Sequence, residues 1–488
     1  MTLPDILIFM SDQHTPYYSG FYGKNTDTPA MDQLCEDGTC FTEAYTVCPL
    51  CVPSRASLLT GLRPARTGIF TLDDAIPDMT PTFLHYLVEQ GYETVLAGRM
   101  HFVGADQRHG FTKRIAGDLT TISWNSPREK LKKSRGVFIR SFGEAFCTQL
   151  IGGGESPVDY YDEYVVQKAI NYLNQPHDKP QCVVVSLYAP HFPYVGPKKL
   201  YLKYRKKAIL PASFYDPLPT PVLARHRQDV SEEVALGAQA AYCAMIEQLD
   251  RRLGQVRQAF QRFCEKRGTS HLFLYTSDHG DQCGDRRMFA KSTFYEKSAK
   301  IPLIIAGTNI SKNHTVDTPV SIMDIGPTLL DYTGAQKMLE IDGVSLIDAL
   351  HGGSGVNHVV YGEFLERADM GSPADSYCFM VKSGVYKYMC FHDDPEHEFL
   401  FDTVADPEER INLIQTLPKI AENTRNIAHR YQMAHKAVEI QKLHARNTKL
   451  WKAYEQAVGV SCDKERWEDV PDSCRNYPEI CITSEVNH

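Results

Sequence analysis

Four short apolar runs in this chain end in the same way. Residues 6–10 run into Ser11-Asp12-Gln13, and residues 94–97 into Gly98-Arg99-Met100-His101. Residues 183–188 run into Ala189-Pro190-His191, and residues 272–276 into Ser277-Asp278-His279. Short runs rich in β-branched residues and bounded by turn formers read as buried strands. Helical patterns lie between them; across 235–262, Ala241, Met245, Leu249 and Leu253 recur at helical spacing. Strands alternating with helices predict a doubly wound α/β sheet. In such sheets ligands sit beyond the carboxyl ends of the strands, where all four runs place Asp, His or Arg. One such ending would be an ordinary turn; four together point to a site.

Composition narrows the class. With 43% apolar and 23% charged residues, the 488-residue chain can bury a sizeable core, which excludes disorder, collagen and coiled coil. A net charge of −8 argues against nucleic-acid binding by bulk charge. The 14 cysteines are scattered, so they read as reduced thiols and not as a disulfide framework. Met1-Thr-Leu-Pro-Asp5 supplies no basic n-region, and no apolar stretch reaches the roughly 18 residues of a membrane span. The expectation is a cytoplasmic protein without a membrane partner, or a periplasmic one if a leader has been removed. Two basic stretches, within 120–154 and over 198–207, read as solvated faces or as grips for an anionic substrate. The loop texture of His351-Gly-Gly-Ser-Gly355 suggests a boundary. It separates a catalytic domain (1–352) from a smaller C-terminal α+β domain (353–488). There, 380–389 and 398–401 look like hairpin strands of an antiparallel sheet, followed by one long polar helix over 420–458 and a tail holding Cys462, Cys474 and Cys481.

The densest signal is Cys48-Pro-Leu-Cys51-Val-Pro53-Ser54-Arg55-Ala-Ser-Leu-Leu-Thr60-Gly61. Pro53 suits the first turn of a helix and Gly61 its C-terminal stop. Cys51 then stands at a helix N-terminus, where amides and the dipole favour an anion. Arg55, four residues on, can grip the same anion. Read bare, Cys48-x-x-Cys51 is a redox pair, half of a zinc site or an activated cysteine. No second Cys pair at ligand spacing completes a zinc site, and no thioredoxin-sized context supports the redox reading.

Cys-x-Pro-Ser-Arg followed by Leu-Thr-Gly resembles the signature of the formylglycine-dependent sulfatases of the alkaline phosphatase superfamily. The likeness spans most of the chain. Asp12-Gln13 resembles the first metal segment, and residues 28–34 the helix after it. Gly98-Arg99-Met100-His101-Phe102 is similar to the Gly-Lys-x-His segment, with arginine in place of lysine. Pro190-His191 matches the histidine strand end, Ser277-Asp278-His279-Gly280 the second metal segment, and residues 291–296 the catalytic-lysine stretch. Phe401-Asp402, Asp406-Pro407-Glu408 and Asn412-Leu413 resemble the C-terminal hairpin motif. Asp-Gln paired with Asp-His is similar to the branch of choline sulfatases and phosphonate monoester hydrolases.

The resemblance implies an alkaline-phosphatase-like fold: a large mixed, mostly parallel sheet sandwiched by helices, with the C-terminal antiparallel sheet beside it. It implies a sulfuric-ester hydrolase in which a maturation enzyme converts Cys51 to formylglycine. The hydrated aldehyde is a gem-diol that attacks sulfur, giving a covalent sulfo-enzyme that collapses to release sulfate. Asp12, Gln13, Asp278 and His279 would hold one divalent cation with residue 51. Ca²⁺ follows from the resemblance, while the oxygen and imidazole donors also suit Mg²⁺ or Mn²⁺. Arg55 would steady the diol, and Arg99, which cannot give up its proton, would bind sulfate. His101 would serve the second diol hydroxyl, and His191 with Lys291 the leaving oxygen. His109 and Trp124 are assigned to substrate contact. A choline-like cation would want an aromatic cage, to which Trp124, Tyr17, Tyr18 and Tyr194 could contribute. The basic stretches suit a sulfated saccharide or small organic ester better. The branch also implies a homo-oligomer. The rivals are a phosphonate monoester or phosphodiester hydrolase using the same site, and a redox or metal-binding module built on Cys48 and Cys51.

Overall fold

The computed structural model describes residues 3–23, 26–120, 136–141, 143–356, 359–366, 376–458 and 466–482. Eight strands form the large sheet: β1 (Asp5–Asp12), β2 (Gly38–Phe41), β3 (Glu93–Gly98), β4 (Lys113–Ala116), β5 (Gln181–Pro190), β6 (His271–Ser277), β7 (Leu303–Gly307) and β8 (His314–Val316). Their spatial order is β8-β2-β7-β6-β1-β5-β3-β4. The four runs read from the sequence are the contiguous parallel block β6-β1-β5-β3. β7 runs antiparallel between β6 and β2, which makes the sheet mixed.

All eight residues of β1 are buried, because both faces of the sheet are covered. Alternation then sends neighbouring side chains into different cores. Ile6, Ile8 and Met10 pack with Val52, Ala56 and Leu59 of helix α1 (Cys51–Thr60). Leu7 and Phe9 pack with Val158 and Val165 of α2 (Pro157–Leu173) and with Met245, Leu249 and Leu253 of α3 (Glu232–Arg267). Truncating one of these core leucines to alanine costs about 2–5 kcal/mol. Register aligns the strands, so that Met10 pairs with Ser186 and Ser11 with Ser277. Asp12, Gly98 and Asp278 therefore emerge on one rim.

Beyond this sheet an antiparallel meander forms from β9 (Val360–Glu366), β10 (Ser376–Ser383), β11 (Tyr386–Phe391) and β12 (Phe399–Asp402). One face, with Phe364, Met380, Met389 and Phe399, joins the first core. The other, with Leu365, Phe379, Val381 and Leu400, lies under α4 (Pro418–Tyr431) and α5 (Ala434–Val458). The single helix expected over 420–458 is thus two. Gln432 is extended, with φ −63° and ψ 142°. The Arg63 guanidinium takes the Tyr431 carbonyl at 2.6 Å, an acceptor that a continuing helix would use. The tail returns to the large sheet's side: residues 480–482 pair with 151–153, and Trp467 packs against Tyr161. Among the described residues no helix is long and apolar enough to cross a membrane.

Candidate functional site

Strand ends and one helix N-terminus converge on the rim. All ten residues of α1 are buried, and Gly61 closes it at φ 67°, as Pro53 and Gly61 suggested. Leu50 gives no side-chain cap, so the helix begins with Cys51 at its open positive end. The backbone must also approach closely here. A Cβ at Gly98 would lie 2.1 Å from the Ser186 carbonyl oxygen, and one at Gly280 would lie 2.0 Å from that of Lys297.

Asp12, Cys51, Asp278 and His279 bring one ligand atom each within 4.8 Å of one another, all buried. Cys51 Sγ lies 3.3 Å from His279 Nε2, 3.0 Å from Lys291 Nζ and 3.6 Å from Asp12 Oδ1. Arg55 joins the two carboxylates: Nε donates to Asp278 Oδ2 at 2.8 Å and Nη2 to Asp12 Oδ2 at 3.0 Å. Arg99 Nε donates to the same Asp12 oxygen at 2.7 Å, and its guanidinium lies over Tyr188 at 4.6 Å. Burial alone would raise Asp12, but the charges of Arg99, Arg55 and Lys291 around it hold its carboxyl well below the ordinary range. Burial, reinforced by Asp12, pushes the Cys51 thiol up to about 11, so it stays protonated at neutral pH.

Hydrogen bonds orient both histidines of the rim. His279 Nδ1 donates to the Gly280 carbonyl at 3.0 Å, leaving the Nε2 lone pair towards Cys51. His191 Nδ1 donates to the Phe192 carbonyl at 2.8 Å, leaving Nε2 to accept from Lys291 Nζ at 3.0 Å. Burial lowers His279 to about 4. Burial, then the Lys291 charge, takes His191 well below its ordinary value. Burial works against the Lys291 ammonium too, yet its surroundings, Cys51 first and then the carboxylates of Asp12, Glu144 and Asp278, raise it above its usual value.

A divalent cation fits these donors. Two carboxylates and an imidazole face one small volume, and Gln13 adds a buried Oε1 with no hydrogen-bond partner among the described residues. Gln13 sits at φ 67°, and left-handed conformations recur at His101 (55°), Ala290 (62°) and Ser292 (67°). Such strain persists only where the surroundings impose it, and it clusters at functional sites.

Other expectations fare differently. His101 reaches the cluster through Arg99, whose Nη2 lies 2.7 Å from its Nδ1. His109 is buried against Phe102 at 4.7 Å and paired with Asp106 at 3.2 Å. Trp124 lies outside the described residues, as do Arg128 to Arg135 of the first basic stretch. In the 198–207 stretch three of the six basic side chains meet neighbouring acids. Lys198 pairs with Glu479, Lys203 with Asp27 and Glu247, and Arg205 with Glu233. Tyr17 and Tyr194 donate to Glu296 and Asp281. Cys48 packs in the first core, away from the ligand cluster.

The sequence reading missed four polar residues of the site. Asp118 and Thr120 cradle Arg99 Nη1 at 3.4 and 2.8 Å, and Ser186 Oγ accepts from Arg55 Nη1 at 3.0 Å. Asp281 accepts from Gln13 Nε2 at 2.7 Å. None of the four carried a signal of its own; Asp281, two residues beyond His279, reads as a turn acid.

The family model described as Sulfatase matches residues 4–335, and one described as N-sulphoglucosamine sulphohydrolase, C-terminal, matches 284–437. The choline-sulfatase of Rhizobium meliloti (strain 1021) is 31% identical over 439 residues, covering 84% of this chain and 82% of that protein. The structure of a 2-O GAG sulfatase superposes with TM-score 0.70 at 23% identity, covering 97% of this chain and 96% of that one. The phosphonate monoester hydrolase of Agrobacterium radiobacter gives TM-score 0.69 at 19% identity, over 90% and 96%. At these identities the two structures speak for the fold alone.

Proposed function

The chain belongs to the sulfatase family and is a sulfuric-ester hydrolase, and from that premise we propose that it releases inorganic sulfate from a small organic or saccharide ester, with Cys51 converted to formylglycine. The observation that carries the reading is the position of Cys51. It stands at an open helix N-terminus, its sulfur 3.0 Å from Lys291 Nζ and 3.3 Å from His279 Nε2. A thiol held protonated up to about 11 is a poor nucleophile at neutral pH, which favours conversion over direct attack. The free thiols of the described residues support a reducing, cytoplasmic setting in which Cys51 stays unpaired.

Asp12, Asp278, His279 and Gln13, with residue 51, would hold one divalent cation, taken as Ca²⁺. When bound, it supplies positive charge that favours an ionised oxygen nucleophile. Converted and hydrated, residue 51 would supply the oxygen nucleophile for sulfur, with the ester oxygen as the leaving group. Arg55 keeps the two carboxylates apart and in register by bridging them. Arg99 binds the sulfuryl oxygens; its proton is not available for transfer. Lys291 carries the proton for the leaving oxygen, and neutral His191 accepts a hydrogen bond from that ammonium, which fixes its direction. His101, whose Nδ1 accepts from Arg99 Nη2 at 2.7 Å, would present its Nε2–H to the second hydroxyl and orient it. His109 lines the approach.

Side-by-side turnover of nitrophenyl sulfate and a phenylphosphonate ester tests this reading. Efficient sulfate release, lost in Cys51→Ala, is expected. Trace sulfate turnover beside efficient phosphonate cleavage would overturn it. A panel of sulfated saccharides and choline sulfate then ranks the alcohols.

A further inference from the structure

We propose that Asp281 is a positioning residue that sets the amide polarity of Gln13, reserving its oxygen for the cation. Asp281 lies outside the ligand cluster and is fully buried. Its Oδ2 accepts from Gln13 Nε2 at 2.7 Å and from the Tyr194 hydroxyl at 2.7 Å. Its Oδ1 accepts the backbone amides of Cys283 at 2.8 Å and Ala290 at 3.1 Å. An ionised carboxylate only accepts, so the end of the Gln13 amide it binds is the NH₂. That leaves Gln13 Oε1, which is buried and has no hydrogen-bond partner among the described residues. Leaving a buried carbonyl unsatisfied is costly unless a ligand meets it.

Gln13 is clamped at both ends. Its backbone amide donates to Asp278 Oδ1 at 3.0 Å, which holds the residue at φ 67°, while Asp281 holds the side chain. The same carboxylate ties down Ala290, next to Lys291, so one buried group organises a ligand and the loop of the proton donor. Partners that orient metal ligands are typically worth 10–100-fold in affinity. The inference rests on the cluster being a cation site.

Asp281→Asn separates this role from plain support of the loop. The carboxamide it introduces keeps an oxygen for the Cys283 and Ala290 amides but turns NH₂ towards Gln13 and Tyr194, whose hydroxyl can accept. Gln13 must then flip, offering NH₂ where the cation needs oxygen. Calorimetric titration with Ca²⁺ should show affinity about 10–100-fold weaker than wild type, with the metal-free melting temperature little changed. Adding Gln13→Glu should restore affinity, since the new carboxylate accepts from the carboxamide of Asp281→Asn and keeps one oxygen for the ion. Unchanged affinity in Asp281→Asn, or no recovery in the double variant, overturns the role of Asp281. Absence of Ca²⁺ and Mn²⁺ binding by wild type overturns the cation reading itself, and the inference with it. Should Asp281→Asn not fold, the Ca²⁺-bound wild-type crystal structure decides. Gln13 Oε1 about 2.3–2.6 Å from the ion, with Nε2 still on Asp281, supports the inference; Gln13 turned away from the ion overturns it.

Discussion

Around Lys387 and around Lys291 the chain buries charge equally deeply and uses it in opposite ways. Lys387, on β11, pairs with Glu296 at 2.8 Å and Glu409 at 2.5 Å. Lys300 pairs with Glu296 and Glu43, and Lys382 with Glu43 at 3.3 Å, so each ammonium of this junction meets a carboxylate. Burial would raise Glu296, but Lys387, Lys300 and Lys382 hold it far below its ordinary value. Lys291 instead faces a sulfur and two neutral imidazoles, and among the described residues it makes no ion pair. The junction fastens the meander to the main body with its charges matched. At the rim, the positive charge has no carboxylate in contact, which suits the proposed anionic substrate. Depth of burial and density of charge do not separate the two; the identity of the partners does.

Substitutions should fall on opposite sides of that comparison. The largest effect is expected at the rim: Cys51→Ala should cut turnover at least about 10⁴-fold while the melting temperature stays near wild type. Lys291→Met should lower turnover by about 10²–10⁴-fold with a smaller loss of stability than Lys387→Met, because no carboxylate loses an ion-pair partner among the described residues. Lys387→Met should do the reverse. It leaves Glu296 and Glu409 without that partner and should cost about 3–5 kcal/mol of stability, with normal turnover in the folded fraction at low temperature. Matching kinetic defects in the two lysine variants would break the comparison.

A smaller effect concerns a junction carboxyl that is poorly matched. Glu363, on β9, has only Arg63 at 3.2 Å as an ion-pair partner among the described residues, and burial raises its pKa from 4.5 to about 7. A raised acid favours the protonated fold, so its contribution is fully present below pH 4.5 and is lost as pH rises through about 7. Chemical denaturation across pH 4–8 should show on the order of 1–3 kcal/mol of this loss, absent in Glu363→Gln. The smallest effect is expected in the tail. Arg466 donates to the carbonyls of Leu119 and Thr120, the latter holding Arg99, so Arg466→Ala should slow turnover about tenfold or less. Kinetics at fixed temperature check it.

What the sequence made legible follows from locality. A strand buried on both faces is a continuous apolar run, so β1, β3, β5 and β6 stood out, and their endings carried Asp12, Arg99, His191 and Asp278 within a few residues. Cys51 and Arg55 share one helical turn. Asp281 was not legible, because the groups that give it meaning lie 268 and 87 positions away, and an acid after Gly280 looks like any turn. Asp118 and Thr120 matter through Arg99, on a neighbouring strand. At the break at Gln432, the Tyr431 carbonyl is taken by Arg63, far away in the chain. The partners of the basic helix at 198–205 were hidden for the complementary reason: the acids Glu233 and Glu247 sit on α3 and Glu479 in the tail.

Mass spectrometry of the peptide holding Cys51, taken from protein that turns over a sulfate ester, tests the central claim most directly. The account predicts a carbonyl in place of the thiol at position 51, in proportion to specific activity. An intact thiol at that position in fully active protein would contradict it.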